Sequence, residues 1–158
     1  MDTAPVVIGI GDIQQKDSIW VLNIQQNSAD KSVKTKAGKR LVPLHPKLLE
    51  LGFLDYCEQV KKSRETKLFP TLKQGFRTTY GDTLSKWFAR YLLKLGIKKK
   101  GKNFHSLRHT VINRLLTNQV YEPFIKELVG HTHGSTTLDI YGGKKPVNVL
   151  LSECVMKL

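Results

Sequence analysis

The chain has 158 residues, enough for one compact domain with a real core. Its 26 Lys and Arg against 13 Asp and Glu leave a formal charge of +13, which favours a polyanionic partner over a basic surface kept only for solubility. Two cysteines, Cys57 and Cys154, exclude a disulfide framework. With no membrane-length apolar run and no signal-peptide order at the start, the expectation is a soluble protein in a reduced cytoplasm.

Residues 1–13, MDTAPVVIGIGDI, are interrupted by Pro5, Gly9 and Gly11 and read as neither helix nor strand. Ser18 to Ile24 is β-prone, and Arg40 to Leu44 gives a second short run ended by Pro43 and Pro46. KSVKTKAGKR lies between them, and its Ala37-Gly38 suits a turn. The two runs predict a small antiparallel sheet with a lysine-rich tip, where Lys31, Lys34 and Lys39 taken singly fit a solvated hairpin.

Pro46 suits a first helical position, and Leu49, Phe53, Cys57 and Val60 then draw one apolar stripe along a helix ended by KKSRETK. Leu68-Phe69-Pro70 is a short extended piece, followed by a loop with Gly75 and Gly81. Asp82 or Thr83 is placed to cap the next helix, whose Leu84, Trp87, Phe88, Tyr91, Leu92 and Leu95 are expected in the core. Gly96 closes it, and Lys98, Lys99, Lys100 and Lys102 form a basic loop suited to phosphates.

A helix is predicted from Phe104 to Asn118, with Leu107, Val111 and Leu115 inward and His105 and Arg108 on an adjacent face. Pro123 opens a short helix that Gly130 ends in a left-handed conformation, so that His131 projects away. Ser135-Thr136-Thr137 can cap a last turn ending at Tyr141, before the hinge Gly142-Gly143. After Pro146, one helical face carries Val147, Leu150, Leu151, Cys154, Val155 and Leu158, to be packed on its own core or on a neighbour's.

Three readings of the histidines compete. His105 and His109 with His131 or His133 have the number of ligands for a metal, but Arg108 between the first two repels a cation. Local hydrogen bonding accounts best for His45, His109 and His133. His105, Arg108, His131 and Tyr141 together suit a phosphodiester, because arginine offers a planar fork of donors to phosphate oxygens.

That constellation resembles the tyrosine recombinases, the phage-integrase family. His105-Ser-Leu-Arg108 matches the family's His-x-x-Arg, Leu128-Val-Gly-His131 its Leu-x-Gly-His, and Tyr141 its nucleophile. Thr35 to Pro43 looks like the hairpin that carries the family's catalytic lysine, which puts that role on Lys36. The likeness covers nearly the whole chain from about Asp12 onward.

The resemblance implies a mainly α fold with a small antiparallel β-sheet, an α+β integrase catalytic domain. It implies site-specific DNA recombination or integration, by strand cleavage and rejoining through a 3′-phosphotyrosyl intermediate, with neither metal nor cofactor. Lys34, Lys39, Arg40, Lys98, Lys99, Lys100 and Lys102 are the expected contacts to double-stranded DNA. Other copies of the chain are expected to join on DNA through the carboxy-terminal helix, in a bacterial or phage-encoded system. The family has a further arginine shortly before the first strand, whereas no arginine here precedes Arg40. The expectation is therefore a single catalytic domain over 1–158, truncated just after that arginine, lacking the amino-terminal core-binding domain and feeble alone. The rival reading is a non-catalytic DNA-binding relative of the recombinases.

Overall fold

A computed structural model describes residues 8–25, 39–72, 80–131 and 144–158. Its one described sheet has three strands in the order β1-β2-β3: β1 (Ile13–Lys16), β2 (Ile19–Ile24) and β3 (Arg40–Pro43), all antiparallel. Strand β1 is an addition to the two expected. Its IQQK sequence has too few apolar residues to show an alternation, and its turn is Asp17-Ser18 rather than a glycine pair. Both turn residues nevertheless take positive φ, 50° and 62°, which matches a two-residue hairpin turn to the strand twist. Just upstream, the buried Asp12 carboxylate accepts a hydrogen bond from Gly9 N at 2.7 Å and holds a 3₁₀ turn against the sheet.

The helix expected from Pro46 is two helices, α1 (Pro46–Glu50) and α2 (Phe53–Lys62). Gly52 adopts φ +83°, a conformation cheap only for glycine, and breaks the stripe between Leu49 and Phe53. His45 precedes α1 and its Nδ1 accepts from Lys47 N at 2.9 Å, so that histidine is satisfied locally. Leu68 is buried and its N–H donates to Ile8 O, while Tyr56 Oη donates to its carbonyl.

Helix α3 (Tyr80–Lys94) starts earlier than the expected cap, with Asp82 inside the first turn, where a carboxylate is favoured by the helix dipole. The expected burial of its aromatic face is also corrected. Leu92 is buried, but Trp87, Tyr91 and Leu95 are about half exposed. Trp87 and Tyr91 instead stack on each other at 5.4 Å, and Phe88 meets Phe104 edge-on at 5.4 Å. Ring-on-ring contact satisfies part of their apolar area without the core.

Helix α4 (Ser106–Thr117) and helix α5 (Glu122–Val129) form the scaffold of the second half. Leu115 is fully buried, Val111 half-buried and Leu107 46% exposed, against the expectation for Leu107. Two steps of four residues overshoot two turns by about 80°, so a stripe that is buried at its far end faces solvent at its start. Leu115, Val120, Ile125, Leu128, Leu150, Cys154 and Val155 form one core cluster, with Val42 of β3 packed against it. The carboxy-terminal helix Val147–Glu153 and its 3₁₀ extension therefore lie on the protein's own core. No described helix is long and apolar enough to cross a membrane.

Candidate active site

The entry to α4 is fixed by a reciprocal capping box. Asn103 Oδ1 accepts from Ser106 N at 3.0 Å, and Ser106 Oγ accepts from Asn103 N at 3.3 Å. The backbone thus begins to coil at Asn103, which places His105 in the first turn and Arg108 a turn later. His105 and His109 pack edge-on at 5.1 Å, and both are exposed.

The exit of α5 is fixed as firmly. Gly130 takes φ +74°, ψ +42°; its N–H donates to Glu127 O and the N–H of His131 donates to Lys126 O at 2.9 Å. This pair of bonds is the left-handed termination expected of a glycine after a helix, and it turns His131 off the helix axis. Two of the last carbonyls are satisfied in this way. A third, that of Leu128, accepts from Arg40 Nε at 2.9 Å, across 88 residues of sequence.

Arg40 opens β3 and lies on the same strand face as Val42, two residues on, which packs on the core cluster containing Leu128. The strand thus aims Arg40 at the end of α5. Its guanidinium rests on Gly130: a Cβ there would meet Arg40 Nη1 at 2.5 Å. Sequence reading grouped Arg40 with surface contacts to DNA; in the fold it is half-buried and engaged with the backbone of α5.

Three elements consequently bring basic side chains to one place: β3 with Arg40, α4 with Arg108 and His109, and the α5 exit with His131. Burial, then the Arg108 charge, lower the Arg40 pKa to about 10. Burial lowers that of Arg108. His131 is held below its ordinary value by burial first, then by Arg108, Lys126, Arg40 and His109, so its imidazole is neutral near pH 7. Every charged neighbour that shifts His131 is basic. Charges of one sign gathered at partly buried positions are costly unless an anion joins them, so the arrangement suits an anionic group with several oxygens. Among the described residues no group of three His, Cys, Asp or Glu is disposed to hold a metal ion.

The sequence profile of the phage integrase family matches residues 6–146. The chain belongs to the phage integrase family. A tyrosine recombinase of Pseudothermotoga lettingae is 34% identical over 109 residues, covering 66% of this chain and 36% of that protein. The chain therefore spans about a third of the length of that relative. No solved structure matches it at a comparable level. The α+β fold is that of an integrase catalytic domain, mainly helical with its small antiparallel sheet.

Of the residues singled out from the integrase-like motifs, Arg108 and His131 share one electrostatic environment, and His105 sits one turn before Arg108. Tyr141, Lys36, Lys34 and His133 lie outside the described residues. Lys39, Lys99, Lys100 and Lys102 are exposed, whereas Lys98 is half-buried and its Nζ donates to Lys102 O, closing its own loop. Three neighbours of His131 stand outside the motif pattern: Lys126, Arg40 and His109. His109 follows Arg108 directly, and its spacing suggests only a local role. Nothing in the spacing of Arg40 signals a partner so distant in the chain.

After His131 the described chain resumes at Lys144, and Lys145 N donates to both Glu127 carboxylate oxygens at 3.1 and 3.2 Å. His131 and Lys145, described residues on either side in sequence, are thus both bonded to α5.

Proposed function

We propose that the chain is the catalytic domain of a site-specific recombinase that cuts and rejoins double-stranded DNA. The observation that carries this reading is the convergence of Arg108 and His131, from α4 and the α5 exit, where every charge that shifts His131 is basic. A phosphodiester repels a nucleophile, and without a metal the protein must supply donors to the non-bridging oxygens as charge builds on them. Arg108, His105 and His131 supply these donors. Tyr141 forms a bond to phosphorus, its phenolic proton passing to a neutral imidazole, the form of His131 that burial first and then its basic neighbours favour. The bond to the 5′-oxygen breaks, and Lys36 protonates that leaving oxygen. The resulting 3′-phosphotyrosine retains the energy of the phosphodiester, so a free 5′-hydroxyl can reseal the strand.

Lys34, Lys39, Lys99, Lys100 and Lys102 contact DNA phosphates and position the duplex without reading its sequence. We assign the activity to a longer protein with a second DNA-embracing domain, in keeping with the fraction of the recombinase relative that this chain spans. Its place is the cytoplasm, with bacterial or phage DNA. Pairing of copies through the carboxy-terminal helix would be an exchange, since Leu150, Cys154 and Val155 fill the protein's own core here and must leave it to fill a neighbour's.

The reading is tested with a nicked suicide duplex of a sequence that the protein is first shown to bind. A denaturation-resistant protein–DNA adduct is expected, absent in Tyr141→Phe. Binding with no adduct in a chain extended upstream to the next arginine would make the protein a non-catalytic DNA-binding relative.

A further inference from the structure

We propose that Arg40 is a positioning residue of the site, a guanidinium latch that ties β3 to the turn presenting His131 and sets a second fixed cation beside Arg108. Its role rests on the phosphodiester reading only for the identity of the anion; the latch itself stands on geometry.

Three observations support the role. The Nε of Arg40 donates to the carbonyl of Leu128, one of the backbone acceptors left open where α5 ends. Its guanidinium occupies the space over Gly130 where any other residue would place a Cβ, so the glycine of Leu-Val-Gly-His is favoured twice, by its positive φ and by this seat. The strand register fixes the base of the side chain, since Arg40 pairs with Ile24 at the end of the β2–β3 ladder. A side chain held at its base by the strand and at Nε by the carbonyl is restrained, and what it abuts is the turn from which His131 projects.

The electrostatics explain why an arginine is suited to this place. Arg40 and Arg108 repel each other, a cost partly offset by the negative end of the α5 dipole against which Arg40 lies. A planar guanidinium can bond the carbonyl through Nε while its charge stays on the side of Arg108 and His131; an ammonium has no such fork. Arg40 thus acts through its neighbours: it fixes the direction of His131 and adds to the field in which an anion is held.

The experiment uses the whole chain, with inorganic phosphate as probe, and follows the imidazole proton resonances of His131 as pH is varied. Arg40→Met removes the fork and the charge, and Arg40→Lys keeps only the charge. In Arg40→Met the His131 midpoint is expected to rise, because one of the cations that depress it is gone, and phosphate affinity is expected to fall roughly tenfold. In Arg40→Lys the midpoint stays low while phosphate affinity still falls, because the tie to Leu128 is lost. A merely structural cap would lower thermal stability in both variants and leave midpoint and affinity at parental values, and that result overturns the proposal. If Arg40→Met fails to fold, a folded Arg40→Lys with parental phosphate affinity overturns it equally. Should the parent bind no phosphate, the phosphodiester reading fails, whereas a risen His131 midpoint in Arg40→Met still upholds the latch.

Discussion

Replacing Gly130 by alanine is the smallest change that strikes the latch. At φ +74° an L-residue is strained by about 1–2 kcal/mol. The added Cβ would lie 2.5 Å from Arg40 Nη1 and 2.8 Å from Cζ, so the guanidinium must move. The side chain is flexible, and swinging aside is sterically cheap; what is lost is the 2.9 Å bond to Leu128 O. A hydrogen bond with a charged donor contributes about 1.5–3 kcal/mol, and partial exposure puts this one toward the lower figure. The sum is about 2.5–4 kcal/mol, measurable by urea denaturation as a drop in midpoint at constant slope. The double-mutant cycle sharpens the test. In an Arg40→Met background only the backbone strain remains, so Gly130→Ala should then cost about 1–2 kcal/mol, a coupling of at least about 1 kcal/mol. Equal costs in the two backgrounds would show that Gly130 and Arg40 are not energetically joined and would refute the reasoning.

Leu150→Ala, at a side chain 2% exposed in the main core, should cost about 2–5 kcal/mol in the same denaturation assay; a loss below 1 would mean that the carboxy-terminal helix does not pack in cis in solution. Lys99→Ala should lower the slope of log affinity for duplex DNA against log salt by about 0.9, while an unchanged slope would remove Lys99 from the DNA contacts. Sulfate, which does not titrate between pH 5 and 8, should bind more tightly as pH falls. His131 is neutral near pH 7 because its pKa is lowered, an anion favours its protonated form, and binding must therefore take up a proton. Calorimetry in buffers of different ionisation enthalpy measures that uptake, and His131→Gln should reduce it; equal uptake in the variant would contradict the role of His131.

Much of the scaffold was legible because local chemistry and tertiary packing agree. Pro123 near the start of α5 and Gly130 after its end leave little freedom in between, and Gly96 stops α3 in the same way. Helical spacing alone does not settle continuity or burial. The stripe Leu49, Phe53, Cys57 and Val60 kept helical period through Gly52, whose positive φ splits it, because a break between two helices can preserve the period on either side. Trp87 and Tyr91 fall at helical spacing whether they face a core or each other. Strand β1 was hidden by its glutamines, since an edge strand needs no apolar alternation to pair.

The site was legible in its motifs and not in its supports. His105, Arg108 and His131 stand out because their residue types and spacing are unusual on helices otherwise explained by packing. Arg40 does not, because its partner is a backbone carbonyl, which leaves no trace in side-chain pattern. The capping pair Asn103 and Ser106 is legible in sequence, being a polar residue three positions ahead of another at a helix start.

The most direct test of the central claim is covalent. The longer protein proposed above is incubated with a nicked suicide duplex that it binds, denatured, digested, and the nucleotide-bearing peptide sequenced. One adduct is expected, on Tyr141, through the 3′-phosphate, abolished by Tyr141→Phe and reduced on the order of a hundredfold or more by Arg108→Ala. An adduct on another residue, or one that survives Arg108→Ala at full rate, would contradict that claim.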